Sequence, residues 1–200
     1  MTRRVMVLDL KRCIGCQSCT VACKLENATP PGIFWARVLE TETGKYPLAK
    51  RSFIPVICNH CQDPPCLRAC PSGATTRRED GIVLVDQDIC IGCKACIVAC
   101  PYEARFLRED GRGYFSEELT PFEKVGYQKH QKGVVSKCNF CKDRVDKGLE
   151  PACVQTCPTI ARIFGDLDDP DSEASRLIIE RHAIQLHPEE GTNPSVYYIS

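Results

Sequence analysis

The pattern of apolar and polar positions predicts many short elements. Three apolar runs predict strands, at residues 5–10 (VMVLDL), 82–86 (IVLVD) and 196–199 (VYYI). Short helices are predicted around Thr20–Cys23 and Ile97–Cys100, and a longer one from Asp169 to about Arg181. Residues 24–57 predict a loop followed by a hairpin, whereas residues 109–133 are polar, rich in turn residues and without clear periodicity. The pattern therefore indicates an α+β chain of small units.

Cysteine changes this picture most, because sixteen of the 200 residues are cysteine. They fall into four groups of four, with none left over: Cys13, Cys16, Cys19, Cys23; Cys58, Cys61, Cys66, Cys70; Cys90, Cys93, Cys96, Cys100; and Cys138, Cys141, Cys153, Cys157. A proline follows the last cysteine of groups two, three and four. Such a proline stops the preceding helix and frees the chain to turn around a ligand.

The spacing inside groups one and three indicates which ligand. Both have the Cys-x2-Cys-x2-Cys-x3-Cys spacing of bacterial two-cluster ferredoxins, in which three thiolates hold one [4Fe–4S] cluster and the fourth holds its neighbour. A structural zinc site usually takes two separated Cys-x2-Cys pairs, and disulfide scaffolds are usually short secreted chains. Zinc and disulfides remain the alternatives, and iron–sulfur clusters are the prediction. The chain would then carry four of them.

Composition and motifs limit the possible functions. Lys plus Arg equals Asp plus Glu at 26 each, so no basic excess points to nucleic acid. No apolar stretch approaches the roughly 20 residues of a membrane span. The first residues lack the apolar core of a secretory signal, so Arg3-Arg4 is only a weak match to a twin-arginine signal. We find no GxSxG, HExxH, phosphate-binding loop or GxGxxG motif, and predict no catalytic residues. The chain should accept electrons from one partner and pass them to another.

The order of the groups predicts two nested ferredoxin-like modules. Groups two and three are joined by a short segment with a turn signal at Glu79-Asp80-Gly81, so they form module B, and groups one and four form module A around it. The predicted boundaries are 1–55 plus 134–165 for module A, 56–108 for module B, 109–133 for a connecting excursion, and 166–200 for a C-terminal docking tail.

Several residues beside the cysteines are candidates for adjusting a cluster. Gly15 and Gly92 would let the backbone approach it. Four lysines lie next to or near ligands, and they are either solvated surface or cations that favour the reduced cluster: Lys24, Lys94, Lys137 and Lys142. His60 lies inside CNHC and is predicted to be a neighbour of a cluster or a surface residue, since sulfur already fills all sixteen ligand positions.

Taken together, these motifs give the whole chain a resemblance to a known family. The motifs that carry the resemblance are V-x-D-L-x2-CIGC-x2-C, CNHCQDPPCLRACPSGA, DGIVLVDQDICIGCKACIVACPY, KCNFCKDRVDKGLEPACVQTCP, GDLDDP and PEEGTNPSVYYI. They are similar to those of the iron–sulfur (beta) subunits of molybdopterin oxidoreductases of the dimethyl-sulfoxide-reductase type, including polysulfide, thiosulfate and arsenate reductases. The resemblance implies four [4Fe–4S] clusters as cofactors. The implied ligand sets are Cys13, Cys16, Cys19 with Cys157; Cys138, Cys141, Cys153 with Cys23; Cys58, Cys61, Cys66 with Cys100; and Cys90, Cys93, Cys96 with Cys70.

The resemblance also implies partners and a place in the cell. It implies a molybdopterin (Mo/W) catalytic subunit as one partner and a membrane-anchor, quinone-reactive subunit or other electron carrier as the second. The chain would then lie at the cytoplasmic membrane, or in the periplasm after co-export with a signal-bearing partner, with the cytoplasm left open. The competing hypotheses are a free-standing polyferredoxin that diffuses between soluble enzymes and a zinc-rich structural scaffold.

Overall fold

The computed structural model describes residues 2–200 and alternates short strands with short helices. The strands are β1 (Arg4–Asp9), β2 (Arg37–Thr43), β3 (Lys50–Val56), β4 (Thr75–Arg77), β5 (Val83–Val85), β6 (Phe106–Leu107), β7 (Val135–Ser136), β8 (Arg162–Asp166) and β9 (Val196–Ile199). The helices are α1 (Ser18–Asn27), α2 (Pro65–Arg68), α3 (Ala95–Val98), α4 (Pro121–Gly126), α5 (Lys142–Val145), α6 (Ala152–Gln155) and α7 (Glu173–Glu180). The mixture confirms the α+β class.

One three-stranded sheet brings distant parts of the chain together. Its order is β8-β1-β9, with β1 antiparallel to β8 and parallel to β9. Alternate side chains of β1 point to opposite faces, so Val5 and Val7 pack towards α7 while Met6 and Leu8 join the core that contains cysteines. Burial on both faces explains why residues 5–8 are all apolar.

The segment between groups two and three forms a hairpin, as the turn signal predicts. Strands β4 and β5 pair antiparallel, and Gly81 in the connecting turn has a φ of 85°, which glycine adopts without strain. A second short pairing, β6 with β7, joins the chain on either side of residues 109–133. This pairing brings group four next to the module of groups two and three.

The predicted hairpin of residues 24–57 is confirmed as β2 and β3, which pair antiparallel over their full length. The hairpin packs on the body through Val38 and Ile54 near its base, and Phe53 contacts the loop at Gly15. Tyr46 and Leu48 near its tip are strongly exposed.

The excursion at 109–133 has more structure than its composition predicts. It contains α4, whose N-cap Thr120 and Glu123 form a reciprocal capping box. The buried Glu123 carboxylate also accepts hydrogen bonds from the Tyr114 backbone N–H and the Tyr127 hydroxyl. The sequence signal was the Thr-Pro-Phe-Glu run, a capping motif that hydrophobic periodicity does not detect.

The segment 166–200 packs on the body. The predicted strand at 196–199 is confirmed as β9, and the predicted helix is α7, which begins at Glu173 because Asp169 and Ser172 first form a turn. Val196 and Tyr198 are buried, so β9 is part of the core. A docking role for the outer surface of this segment stays a prediction. Within residues 2–200, no helix combines the length and apolarity that a membrane crossing requires.

Candidate metal centres

The sixteen thiols gather into four sets, each drawing one cysteine from another group. We call them site I (Cys13, Cys16, Cys19, Cys157), site II (Cys23, Cys138, Cys141, Cys153), site III (Cys58, Cys61, Cys66, Cys100) and site IV (Cys70, Cys90, Cys93, Cys96). The four cysteines of sites I, III and IV each line one cavity. At site II, Asn27 Nδ2 lies 3.6 Å from Cys23 Sγ and 3.9 Å from Cys141 Sγ, and Cys138 has Cys23, Cys141 and Cys153 as close neighbours.

The spacing of the thiols suits a multi-atom cluster better than a single ion. Among residues 2–200, no three His, Cys, Asp or Glu side chains converge closely enough to hold one metal ion. In sites I, III and IV the sulfurs instead surround a shared space. All sixteen are free thiols, so no disulfide competes for them.

Exposure divides the four sites into two outer and two inner ones. Cys16 of site I and Cys93 of site IV are exposed, whereas all four cysteines of site II are buried and site III has only Cys100 partly exposed. The inner sites adjoin each other, because Cys58 of site III is among the groups that raise the pKa of Cys138 of site II. The sites therefore form a series from I to IV.

Repeated local conformations set the cysteine loops. In the two Cys-Ile-Gly-Cys loops, Gly15 and Gly92 have φ values of 69° and 66°. In the Cys-Asn-His-Cys and Cys-Asn-Phe-Cys loops, His60 and Phe140 occupy the same left-handed region, with φ values of 41° and 52°. Left-handed residues are costly outside glycine and persist where the surroundings fix them, as in loops that wrap a ligand.

Close packing against neighbouring protein is a further reason for glycine at these two loop positions, beside the predicted approach to the cluster. A Cβ at Gly92 would lie 2.0 Å from the Gly133 carbonyl oxygen, and one at Gly15 would lie 2.4 Å from the Phe53 ring. Close packing of neighbouring protein, together with positive φ, thus demands glycine at both positions. An approach to the cluster stays a prediction.

Burial raises the pKa of eight of these thiols, which disfavours their thiolate form in the absence of metal. It raises the pKa of Cys61 to about 12, and together with the charges of neighbouring sulfurs it also raises the pKa of Cys23 and of Cys138. At the surface, hydrogen bonds from Ser18 lower the pKa of Cys16. Because metal ligation requires the thiolate, bound metal ions must supply the positive charge that stabilises the buried sulfurs as anions.

The environment of Arg162 indicates whether sites I and II can hold an anionic group. Its side chain is fully buried, and among residues 2–200 its hydrogen-bond acceptors are all sulfurs. Nη1 lies 3.8 Å from Cys153 Sγ and 3.7 Å from Met6 Sδ, while Nη2 has no partner in this range. It also lines the cavity of site I. An isolated buried guanidinium is strongly unfavourable, so it requires negative charge nearby. Thiolate-ligated clusters held at sites I and II would satisfy this requirement.

Arg105 occupies the corresponding place between sites III and IV. It is buried and lines both cavities, with Nη2 donating to Cys66 Sγ at 2.9 Å and Nη1 donating to Thr75 Oγ1 at 3.0 Å. No salt bridge to a carboxylate involves either arginine within the described residues. The cysteine sulfurs would therefore supply the negative charge beside both arginines once they ligate metal.

Lys137 is the one predicted lysine that is fully buried between cysteine sites. Its Nζ donates to the carbonyl of Cys138 at 2.7 Å and to that of Val83, a residue that lines the cavity of site III. Lys24 instead donates to the carbonyls of Pro30 and Ile33. Lys94 is exposed and pairs with Glu109, and Lys142 is half-buried and pairs with Asp143. The surface alternative thus fits Lys142. Lys94 also lines the cavity of site IV, so both alternatives stay open for it.

His60 is buried, which excludes the surface alternative. Its Nδ1 accepts the backbone N–H of Val83 at 3.0 Å, and its ring stacks on Phe140 with centroids 3.8 Å apart. Burial, reinforced by the charges of Lys137 and Arg105, lowers the pKa of His60, so the ring is neutral. The stack joins the loops of sites II and III.

The two arginines are the residues that the sequence reasoning missed. Both follow a terminal Cys-Pro in the same pattern, CPYEAR at 100–105 and CPTIAR at 157–162. The repeat of Ala-Arg at fixed distance from a cysteine was a usable signal, because ordinary surface arginines have no reason to keep that register.

Comparison with known proteins decides the family. The 4Fe-4S dicluster domain matches residues 49–117 and 114–167, more than half of the chain. The arsenate respiratory reductase iron-sulfur subunit ArrB of Shewanella sp. ANA-3 is 40% identical, over 97% of this chain and 94% of the relative. The chain belongs to this family of iron–sulfur subunits.

Other members of the iron–sulfur subunit family match equally broadly. The matching selenate reductase subunit, from Mesobacillus selenatarsenatis, is 43% identical over 98% of this chain and 71% of its own length. The matching tetrathionate reductase subunit, from Salmonella typhimurium, is 42% identical over 98% of this chain and 72% of its own length. As a family member, the chain is an electron-transfer subunit with [4Fe–4S] cofactors, and its sixteen cysteines fit four of them. The zinc and disulfide alternatives are therefore wrong.

Proposed function

We propose that this subunit passes electrons through four [4Fe–4S] clusters in series, held by sites I, II, III and IV as defined above. Each cluster supplies a one-electron carrier when bound. The observation that carries the proposal is the gradient of exposure, with exposed thiols only in sites I and IV. Exposed outer sites give two separate points for electron exchange, and buried inner sites exclude exchange with solvent between them.

Two nested modules account for the arrangement of the sites. Sites I and II belong to module A, residues 1–55 and 134–165, and sites III and IV belong to module B, residues 56–108. The pairing of β1 with β8 supports the closure of module A across the inserted module. Residues 109–133 connect the two, and the outer surface of residues 166–200 is the proposed contact for a partner.

The partners follow from the names of the relatives, which are subunits of arsenate, selenate and tetrathionate reductases. We infer a molybdopterin (Mo/W) catalytic subunit at one outer site and a membrane-anchor, quinone-reactive subunit or another electron carrier at the other. In this arrangement the chain is peripheral to the cytoplasmic membrane or lies in the periplasm after co-export.

Metal content is the direct test of the four sites. Anaerobically purified protein should contain about sixteen iron atoms and about sixteen acid-labile sulfides per chain, without stoichiometric zinc. Iron near eight would mean that only one module holds clusters. The isolated chain should be reduced and reoxidised reversibly but should turn over no oxyanion.

A matched pair of variants tests the series. Cys16→Ser and Cys93→Ser each alter one exposed ligand, at opposite ends. In the purified complex, each should block electron exchange with one partner while an artificial donor that enters at the other end still works. Equal loss of both exchanges in both variants would contradict the series, and copurification with no partner at all would favour the free-standing polyferredoxin.

A further inference from the structure

Four lysine and arginine side chains are buried among the described residues, and three of them lie beside the cysteine sites, each at a different junction between consecutive sites. The fourth, Arg108, donates instead to the carbonyls of Asp110, Gly111 and His130. Arg162 lines the cavity of site I and approaches Cys153 of site II. Lys137 donates to the carbonyl of Cys138 of site II and to the carbonyl of Val83 beside site III. Arg105 lines the cavities of both site III and site IV. The order is therefore site, cation, site along the whole series.

The three cations share an unusual environment. Each is almost completely buried, and none pairs with a carboxylate in the part of the chain that the structure describes. The hydrogen bonds that they donate go to sulfur, to backbone carbonyls and to one hydroxyl. Their charge is thus not neutralised by protein carboxylates and acts on the neighbouring sulfurs in a medium of low dielectric constant.

We propose that each buried cation controls electron uptake at the two sites beside it and at no others, so that the reduction potentials of the series are set junction by junction. This inference rests on the proposed function. A cation favours the more negative, reduced form of an adjacent cluster, and net charge is a main determinant of cluster potential. The effect weakens with distance, so a site two junctions away should be little affected.

The test uses three neutral variants, Arg162→Gln, Lys137→Gln and Arg105→Gln, each titrated with redox mediators and followed by electron paramagnetic resonance. Each should lower two of the four midpoint potentials, with a shift of about tenfold in the reduction equilibrium, or about 59 mV for one electron. The two shifted by Arg162→Gln and the two shifted by Arg105→Gln should not overlap. Lys137→Gln should shift one member of each set.

Charge-keeping variants separate charge from packing. Arg162→Lys, Arg105→Lys and Lys137→Arg should keep potentials close to those of the unmodified protein, although their shapes differ. If a charge-keeping variant shifts the potentials as far as its glutamine counterpart, the residue acts by packing and the inference fails. A uniform shift of all four potentials, or no shift, also overturns it.

A second set of variants tests the inference if a glutamine variant loses iron. In this set the cation is kept and a carboxylate is placed beside it. Met6 contacts Arg162 and Thr75 contacts Arg105, so Met6→Glu and Thr75→Asp should offset each cation without removing it. They should lower the same two potentials, whereas the neutral controls Met6→Gln and Thr75→Asn should not. If the unmodified protein holds four clusters but the variants do not shift the two adjacent potentials as described, only this inference is refuted. If the unmodified protein holds fewer than four clusters, the proposed function is refuted.

Discussion

Sites III and IV use cysteines from one continuous stretch, residues 58–100, whereas sites I and II combine residues 13–23 with residues 138–157. The local chemistry of the two halves is alike, with matching loop conformations and one buried arginine beside the cysteine sites in each. Their dependence on long-range structure differs, because the sheet β8-β1-β9 joins the distant segments only in the half with sites I and II. Cluster sites with the same local chemistry can thus be built from cysteines that are close in sequence or from segments that are more than 100 residues apart.

The largest expected effect comes from disrupting that sheet. Val7 is fully buried in β1, opposite Ile163 and Tyr197. Val7→Asp should destabilise this half by more than about 3 kcal/mol, because it buries an unpaired charge. Iron should fall to about eight per chain, retained at sites III and IV. The exposed Ile179→Asp should leave iron unchanged, and loss of all iron in Val7→Asp would mean that the halves fold as one unit.

Glycine-to-alanine substitutions in the cysteine loops of sites I and IV allow a direct comparison of the two halves. Gly92→Ala, at site IV, would collide with the backbone oxygen of Gly133, whereas Gly15→Ala, at site I, would meet the Phe53 side chain, which can shift. Gly73 has a similar φ of 72° and no neighbour within 4 Å, so Gly73→Ala should cost only about 1–2 kcal/mol. We expect Gly92→Ala to cost most and Gly73→Ala least, measured by the denaturant midpoint of cluster bleaching. Equal losses of stability in the three variants would show that the positive φ alone, and not the contact with neighbouring atoms, determines the cost of the substitution.

A smaller effect is expected where the halves meet. His60→Phe should preserve the stack on Phe140 but leave the buried Val83 N–H without an acceptor, at a cost of about 1–3 kcal/mol. The same bleaching midpoint measures it. His60→Gln supplies an acceptor oxygen without the ring. Comparison of the two variants therefore separates the contribution of the hydrogen bond from that of the stacking. If His60→Phe is as stable as the unmodified protein, the hydrogen bond contributes nothing.

The smallest effect should come from the surface ion pair between the halves. Arg78, after β4, donates to both Asp146 oxygens at 2.7 and 3.0 Å. Its hydrogen bonds lower the pKa of Asp146, so the pair stabilises the fold above the ordinary carboxyl range and is lost as pH falls through the lowered pKa. At neutral pH, Arg78→Gln should reduce stability slightly at low salt and not measurably at high salt. A salt-independent loss would point to packing.

Most of the fold and the sites could be predicted from the sequence, because cysteine spacing and short apolar runs are local signals. Strands β1, β5 and β9 and the hairpin of β2 and β3 lie where the pattern predicts them. The capping box at Thr120 was missed because it is a hydrogen-bonding pattern. The burial of Arg105 and Arg162 was missed because arginine is normally exposed and its position depends on cysteines far away in sequence.

The central position of β1 in its sheet has a consequence for biogenesis. The ribosome makes β1 and the cysteines of residues 13–23 long before β8 and β9, so these four thiols wait without their partners while the rest of the chain is synthesised. All of the cysteines of sites III and IV are present once residue 100 has emerged, since the last of them is Cys100. Cluster insertion should therefore begin at sites III and IV, and the early thiols of sites I and II are the ones most open to oxidation in a newly made chain.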